Sequence, residues 1–339
     1  MNSEPLPALW SRRRVLRTLL CSSAALAFNI NRKLLSAVET GNSDDLHWLA
    51  IGDFGSQSRP QTAVAQGMQS YLTRLGLRPE GLLLLGDNFY GKMVGGVKSH
   101  RWAAGFEDMY LVDAFPGICP VVLGNHDYHD NPGGEQTQLA YAKQTPGTRW
   151  TLPQKWYRLD LPAKKPVVTF LCLDTNLRSV SSGTDFKTGR KRASLTEDEE
   201  NAELSWLKAE LAKPRAPWTI CLGHHPIYSN GQHGDTHPLV ARLAPLLQEY
   251  RVPVYICGHD HDLQHLELEN QATSFVISGG GGARVRNLRR KERGPYGAAV
   301  YGFTHLQVRP GSLTLRHVDA NGNQLHAFEK GLDGKWSVL

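Results

Sequence analysis

The chain has 339 residues, 40% of them hydrophobic and 21% charged, a balance that excludes an intrinsically disordered protein. Its net charge of +6 invites nucleic acid as a partner, but residues 1–37 hold Arg12, Arg13, Arg14, Arg17, Arg32 and Lys33 against Glu4, a net of +5, and the remainder is nearly neutral. No later stretch supplies the ~20 apolar residues that cross a bilayer, so the mature protein is expected to have no membrane span and no nucleic-acid partner.

In chain order, the first recognisable feature is Ser11-Arg12-Arg13-Arg14-Val15-Leu16-Arg17, followed by a short apolar run from Thr18 to Ile30. A charged segment leading into such a run is a signal-peptide pattern, and this order resembles the bacterial twin-arginine signal. Residues 1–37 are therefore read as the signal, with cleavage near Ala37, although Leu35 fits a small-x-small site poorly. Residues 38–339 are read as one domain. The expected location is periplasmic or secreted, and the expected partner in transit is the twin-arginine export machinery, which carries folded proteins.

From residue 46 onward, strand-like runs recur at His47–Ile51, Leu82–Leu85, Val121–Leu123, Val167–Leu173, Trp218–Leu222 and Val254–Cys257. Helix-like segments lie near 60–75, 99–110, 196–212 and 237–250. Thr196 followed by Glu197, Asp198 and Glu199 is a helix start with acidic residues at the positive end of the dipole. After residue 260 the pattern becomes strand upon strand: Leu263–Leu268, Ser274–Ser278, Val300–Val308, Ser312–Val318 and Gln324–Glu329, with a hairpin turn at Asn321-Gly322. An α/β half followed by a β-rich half predicts an α/β fold of two packed sheets with helices outside. Cys119, Cys172, Cys221 and Cys257 fall in apolar runs and are expected to be buried thiols without disulfides.

Five short blocks follow strand-like runs: Gly52-Asp53-Phe54-Gly55, Gly86-Asp87-Asn88-Phe89-Tyr90, Gly124-Asn125-His126-Asp127, Gly223-His224-His225-Pro226 and Gly258-His259-Asp260-His261. Each sets a glycine and then a metal-competent side chain at a strand end, where ligands collect in α/β sheets. The oxygen and nitrogen donors suit iron, zinc or manganese, and the lack of cysteine argues against a structural zinc site.

In this order the blocks resemble the calcineurin-like metallophosphoesterases, and their details resemble the small purple acid phosphatases, whose animal members are tartrate-resistant. Glu203-Leu204-Ser205-Trp206-Leu207-Lys208 and Cys257-Gly258-His259-Asp260-His261-Asp262-Leu263-Gln264 extend the resemblance, which covers roughly residues 46–282. It implies a two-metal site in an α/β/β/α sandwich. Asp53, Tyr90 and His261 would hold a ferric ion. Asn125, His224 and His259 would hold a divalent ion (iron, zinc or manganese), and Asp87 would bridge the two. Many relatives carry Asp-x-His in the first block, where this chain has Gly55, and Tyr90 supplies the replacement ligand.

The implied reaction is acid hydrolysis of a phosphomonoester, small or on a phosphoprotein, by in-line attack of a hydroxide that the ferric ion keeps available at acid pH. His126 and His233 are the candidate proton donors or phosphate binders. His225 stands where animal members often have tyrosine, and its role is open. Ser179 and Pro238 lie near the places of a cysteine pair in those members. The loop Ser181–Ser194, with its basic run Lys187–Arg192, corresponds roughly to a segment that covers the site in some members of the family. A phosphodiesterase or nucleotide hydrolase on the same fold is the alternative reading, and a protein that has lost its metals is a third.

Overall fold

A computed structural model describes residues 45–184, 189–290 and 292–339. The export signal read in residues 1–37 lies outside them, as do Lys187 and Thr188 of the basic run. No helix among the described residues is long and apolar enough to cross a membrane.

The strands in chain order begin with β1 (Leu46–Ile51), β2 (Gly81–Leu85), β3 (Cys119–Val122), β4 (Trp150–Thr151), β5 (Tyr157–Leu161) and β6 (Val168–Cys172). A short ribbon, β7 (Gly183–Thr184) and β8 (Lys191–Arg192), precedes β9 (Trp218–Leu222), β10 (Val254–Cys257), β11 (Leu263–Leu266) and β12 (Ser274–Ser278). The last are β13 (Tyr296–Ala298), β14 (Gly302–Val308), β15 (Ser312–Asp319), β16 (Gln324–Gly331) and β17 (Trp336–Val338).

They form two mixed sheets, β17-β16-β15-β14-β1-β2-β3-β4 and β13-β11-β12-β10-β9-β6-β5. The parallel part of the first is β1, β2, β3 and β4, at one end of the sheet; that of the second is β12, β10, β9 and β6, at its centre. Period-two alternation explains why both faces of the second sheet are apolar. Ile220, Leu222, Val254 and Ile256 face the core shared with Trp48, Leu82 and Phe303 of the first sheet. Cys221, Tyr255 and Cys257 face the other way, against Leu207, Leu211, Leu239 and Leu247 of the helices. The result is the expected α/β/β/α sandwich, and its four described cysteines are buried free thiols.

Local chemistry sets the element ends. The helix Arg59–Leu75 starts at Ser58, whose hydroxyl accepts from Gln61 N, and stops at Gly76 with φ 63°. Thr196 caps Glu197–Ala212 in a reciprocal pair, Glu199 N to Thr196 Oγ1 at 3.2 Å and Thr196 N to Glu199 Oε2 at 2.9 Å.

Three expectations changed. The single helix near 237–250 is two, His237–Arg242 and Ala244–Glu249, because Pro245 has no N–H for the preceding turn. The segment near 99–110 holds a short wide turn, Ala103–Glu107, and its Gly105 packs where a Cβ would sit 3.2 Å from Phe89. The strand expected from Val300 begins at Gly302.

Candidate metal centre

The five blocks occupy the loops that leave the carboxyl ends of β1, β2, β3, β9 and β10. Backbone bonds lock these loops together: Asp53 N to Gly86 O at 3.0 Å, Gly55 N to Asp87 O at 3.1 Å and Gly258 N to His224 O at 3.0 Å. Gly258 is required by crowding, since a Cβ there would lie 2.6 Å from Asp53 Oδ2. Gly55 is required more strongly: a Cβ would sit 2.1 Å from the Asn88 carbonyl oxygen, so no side chain fits that position in this backbone. The same pairing carries Tyr90 inward, with Tyr90 N bonded to Gly55 O at 3.1 Å. Asp53, Asp87 and His259 hold left-handed φ values of 57°, 52° and 70°. Such backbone strain, of order 1 kcal/mol or more per residue, persists where the surroundings over-determine it.

Two clusters of side chains result. In the first, the Tyr90 hydroxyl lies 3.3 Å from Asp53 Oδ1, 3.0 Å from Asp87 Oδ2 and 3.4 Å from His261 Nε2. In the second, His224 Nε2 lies 3.1 Å from Asn125 Oδ1, 3.2 Å from His259 Nδ1 and 3.4 Å from Asp87 Oδ1. Asp87 therefore turns one carboxylate oxygen to each cluster. All seven residues expected as ligands converge, and Asp53 and Asp87 are wholly buried.

The proton inventory tests whether cations fit here. His224 Nδ1 faces the Leu85 carbonyl at 2.9 Å and His261 Nδ1 faces the Arg284 carbonyl at 2.8 Å. A carbonyl only accepts, so each Nδ1 carries the proton and each Nε2 offers a lone pair to the centre. The Nε2 lone pair of His224 then meets the oxygens of Asn125 and Asp87, which are acceptors as well. Burial first, then Asp87 and Asp53, hold the Tyr90 phenol well above its ordinary range. Converging lone pairs and carboxylates with few protons among them is an arrangement that a cation satisfies, and the residues fit a two-metal site.

Around this centre, His126 N donates to Asp87 Oδ1 at 2.9 Å, and His126 Nδ1 pairs with Asp130 Oδ2 at 3.0 Å. Burial opposes charge on His126, but Asp130 and Asp87 outweigh it and raise its pKa to about 9. The His233 ring lies 4.2 Å from that of His259, and Arg286 Nη1 contacts His233 Nε2. Burial in the first place pushes His233 below its ordinary value.

His225 packs against His224 and His259, with ring centroids 4.9 and 4.4 Å away. The Thr175 hydroxyl decides its tautomer. Thr175 Oγ1 accepts from His224 N at 3.2 Å and His225 N at 2.9 Å, which fills both lone pairs. Its own proton goes to His225 Nδ1 at 2.9 Å, so His225 Nε2 is an N–H donor and not a metal ligand.

Several supporting residues escaped the sequence reading. Asp127 ties the second and third blocks together, accepting from Asn88 N and Gly124 N on Oδ2 and from Phe89 N and Gln138 Nε2 on Oδ1. Its place inside the third block was the available signal. Thr175 stands just beyond β6, a strand end without the glycine that marked the others. Gln138 comes from the helix Gly134–Gln144, whose buried residues, Gly134, Gln138 and Tyr141, give no aliphatic period.

Comparison with known proteins gives the family. The sequence matches the calcineurin-like phosphoesterase family over residues 45–263. It is similar to tartrate-resistant acid phosphatase type 5 of Mus musculus, 32% identical over 301 residues that cover 84% of this chain and 90% of that protein. It is also similar to purple acid phosphatase 7 of Arabidopsis thaliana, 30% identical over 302 residues that cover 87% and 88% of the two chains. Among solved structures it resembles the GAP50 anchor of the inner membrane complex of Plasmodium, with a TM-score of 0.69 at 20% identity over 84% of this chain and 87% of that one. At that identity the likeness is one of fold.

Proposed function

We propose that this chain, which belongs to the purple acid phosphatases of the calcineurin-like phosphoesterase family, hydrolyses phosphomonoesters at a binuclear centre held by Asp53, Asp87, Tyr90, Asn125, His224, His259 and His261. The observation that carries the reading is the position of Asp87, whose two oxygens face Tyr90 at 3.0 Å and His224 at 3.4 Å. Asp53, Tyr90 and His261 would hold Fe(III), for which a phenolate is a hard anionic donor. Asn125, His224 and His259, a neutral set, would hold a divalent ion (iron, zinc or manganese). Metal ions held by these residues would supply Lewis-acid polarisation of the phosphate oxygens and a water of lowered pKa.

The chain's own groups do the rest. His126 Nδ1–H donates to Asp130, which leaves Nε2–H to protonate the departing alcohol oxygen. His225 Nε2–H and His233 are placed to hold phosphate oxygens. The test is a comparison of p-nitrophenyl phosphate with bis(p-nitrophenyl) phosphate on the metal-loaded protein. The monoester should be preferred by at least about 10²-fold in kcat/KM. An equal or larger rate on the diester would contradict the reading.

The enzyme reaches an exported compartment by the twin-arginine route, a proposal supported by Ser11-Arg12-Arg13 ahead of the apolar run Thr18 to Ile30. The route needs the arginine pair itself and not its charge. Changing both Arg12 and Arg13 to lysine should therefore retain the protein in the cytoplasm on cell fractionation, and unchanged export would refute it.

A further inference from the structure

The chain from Arg284 to Arg293 carries Arg284, Arg286, Arg289, Arg290, Lys291 and Arg293 against Glu292, a net of +5, whereas the rest of residues 38–339 is acidic, with 26 basic and 30 acidic residues. The described part of this run is a fixed wall. Arg284 O accepts from His261 Nδ1 at 2.8 Å, Arg286 N bonds His261 O at 3.2 Å, and Arg289 N bonds Asn230 O at 2.9 Å. Arg293 anchors the far end through Asp235 at 2.7 Å and the Ser229 carbonyl.

The wall borders an open cleft of about 950 Å³, lined also by His233 and Leu288. Arg286 contacts His233, whose ring lies 4.2 Å from that of His259, so the cleft adjoins the centre directly. The acidic groups on this side are already engaged. Asp235 pairs with Arg293, and Asp260, fully buried, accepts from the Ser229 hydroxyl and from His233 N at 3.0 Å. Arg284 and Arg289 are exposed and no carboxylate pairs with them among the described residues. Guanidinium groups held on a rigid backbone at a cleft mouth are suited to oxyanions.

We propose that this wall is a second anion subsite, and that the preferred substrates are phosphomonoesters carrying another anionic group, a phosphate or a carboxylate, a few bonds from the scissile phosphate. This deepens the phosphatase reading and rests on it.

Glycerol 3-phosphate, 3-phosphoglycerate and 2,3-bisphosphoglycerate, which present no further anion, a carboxylate, and a carboxylate with a phosphate, are the probes. They are compared on the metal-loaded wild type and on the variant Arg289→Gln, which leaves His233, Arg286 and Arg284, whose carbonyl fixes His261, untouched. In the wild type kcat/KM on the bisphosphate should exceed that on glycerol 3-phosphate by about tenfold or more, and the gain should shrink with added salt. The variant should lose most of that gain while glycerol 3-phosphate changes by less than about twofold. A rise confined to the bisphosphate assigns the subsite to phosphate, and an equal rise for 3-phosphoglycerate assigns it to carboxylate. Equal rates on all three in the wild type, or an equal fall on all three in the variant, would overturn the proposal alone. No turnover of glycerol 3-phosphate by either form would overturn it together with the phosphatase reading.

Discussion

His261→Ala should lower kcat/KM for a phosphomonoester by at least about 10³-fold, roughly 4 kcal/mol of transition-state stabilisation, and lower the bound metal from two ions to about one. His261 Nε2 offers its lone pair to the site of Asp53 and Tyr90, and its Nδ1–H is fixed by the Arg284 carbonyl at 2.8 Å, so alanine removes a preorganised donor atom. His225→Asn is the control. It keeps an acceptor for the Thr175 hydroxyl and deletes only the Nε2–H, and should cost less than about tenfold with both metals retained. The two variants are read by steady-state kinetics and elemental analysis, with circular dichroism to verify folding. Similar losses in two folded variants would remove His261 from the ligand set.

His126→Gln separates proton donation from metal binding. If His126 Nε2–H protonates the leaving oxygen, an alkyl phosphate, whose alkoxide is a poor leaving group, should lose about 10²–10⁴-fold in kcat. p-Nitrophenyl phosphate, whose phenolate leaves unprotonated, should lose less than about tenfold. The pH profile adds a second reading. Burial works against the charge on His126, but Asp130 and Asp87 raise its pKa to about 9, so its proton is present throughout the acid range and is lost as pH rises. Cations at the centre lower that limit by repulsion. Alkyl phosphate hydrolysis by the wild type should therefore fall on the alkaline side, and the variant should lack that fall. Equal losses on both substrates would make His126 a phosphate binder or a scaffold and not the acid.

How much was legible in the sequence follows from what each residue depends on. The central strands β2 and β10 are continuous apolar runs because both of their faces are covered, and such runs stand out without a partner in view. The site loops were marked because each needs glycine beside a ligand, and five such marks occur in chain order. The helix Gly134–Gln144 was invisible for the opposite reason. It buries Gln138 and Tyr141 rather than an aliphatic stripe, and it packs through the stacking of Tyr141 on Trp102 at 3.5 Å. The tautomers of His224, His225 and His261 could not be read at all, since they depend on a carbonyl or hydroxyl distant in sequence: Leu85, Thr175 and Arg284. The edge strand β5, Tyr157–Leu161, alternates Tyr, Leu and Leu with Arg and Asp, a half-buried pattern legible in the sequence.

The central claim is that two metal ions, one of them ferric and bound by the Tyr90 phenolate, make this protein a phosphomonoesterase. It is tested most directly by elemental analysis and a visible absorption spectrum on one sample of wild type and one of Tyr90→Phe, each assayed for monoester hydrolysis. Phenylalanine keeps the ring against His126, 4.5 Å between centroids, and removes the oxygen that faces Asp53, Asp87 and His261. The wild type should hold two ions per chain, at least one of them iron, and show a phenolate-to-iron charge-transfer band that zinc, with its filled d shell, cannot give. Tyr90→Phe should fold, lack the band and bind iron more weakly. An active wild type that holds fewer than two ions, or an oxidised, iron-loaded wild type that is colourless, would contradict the claim.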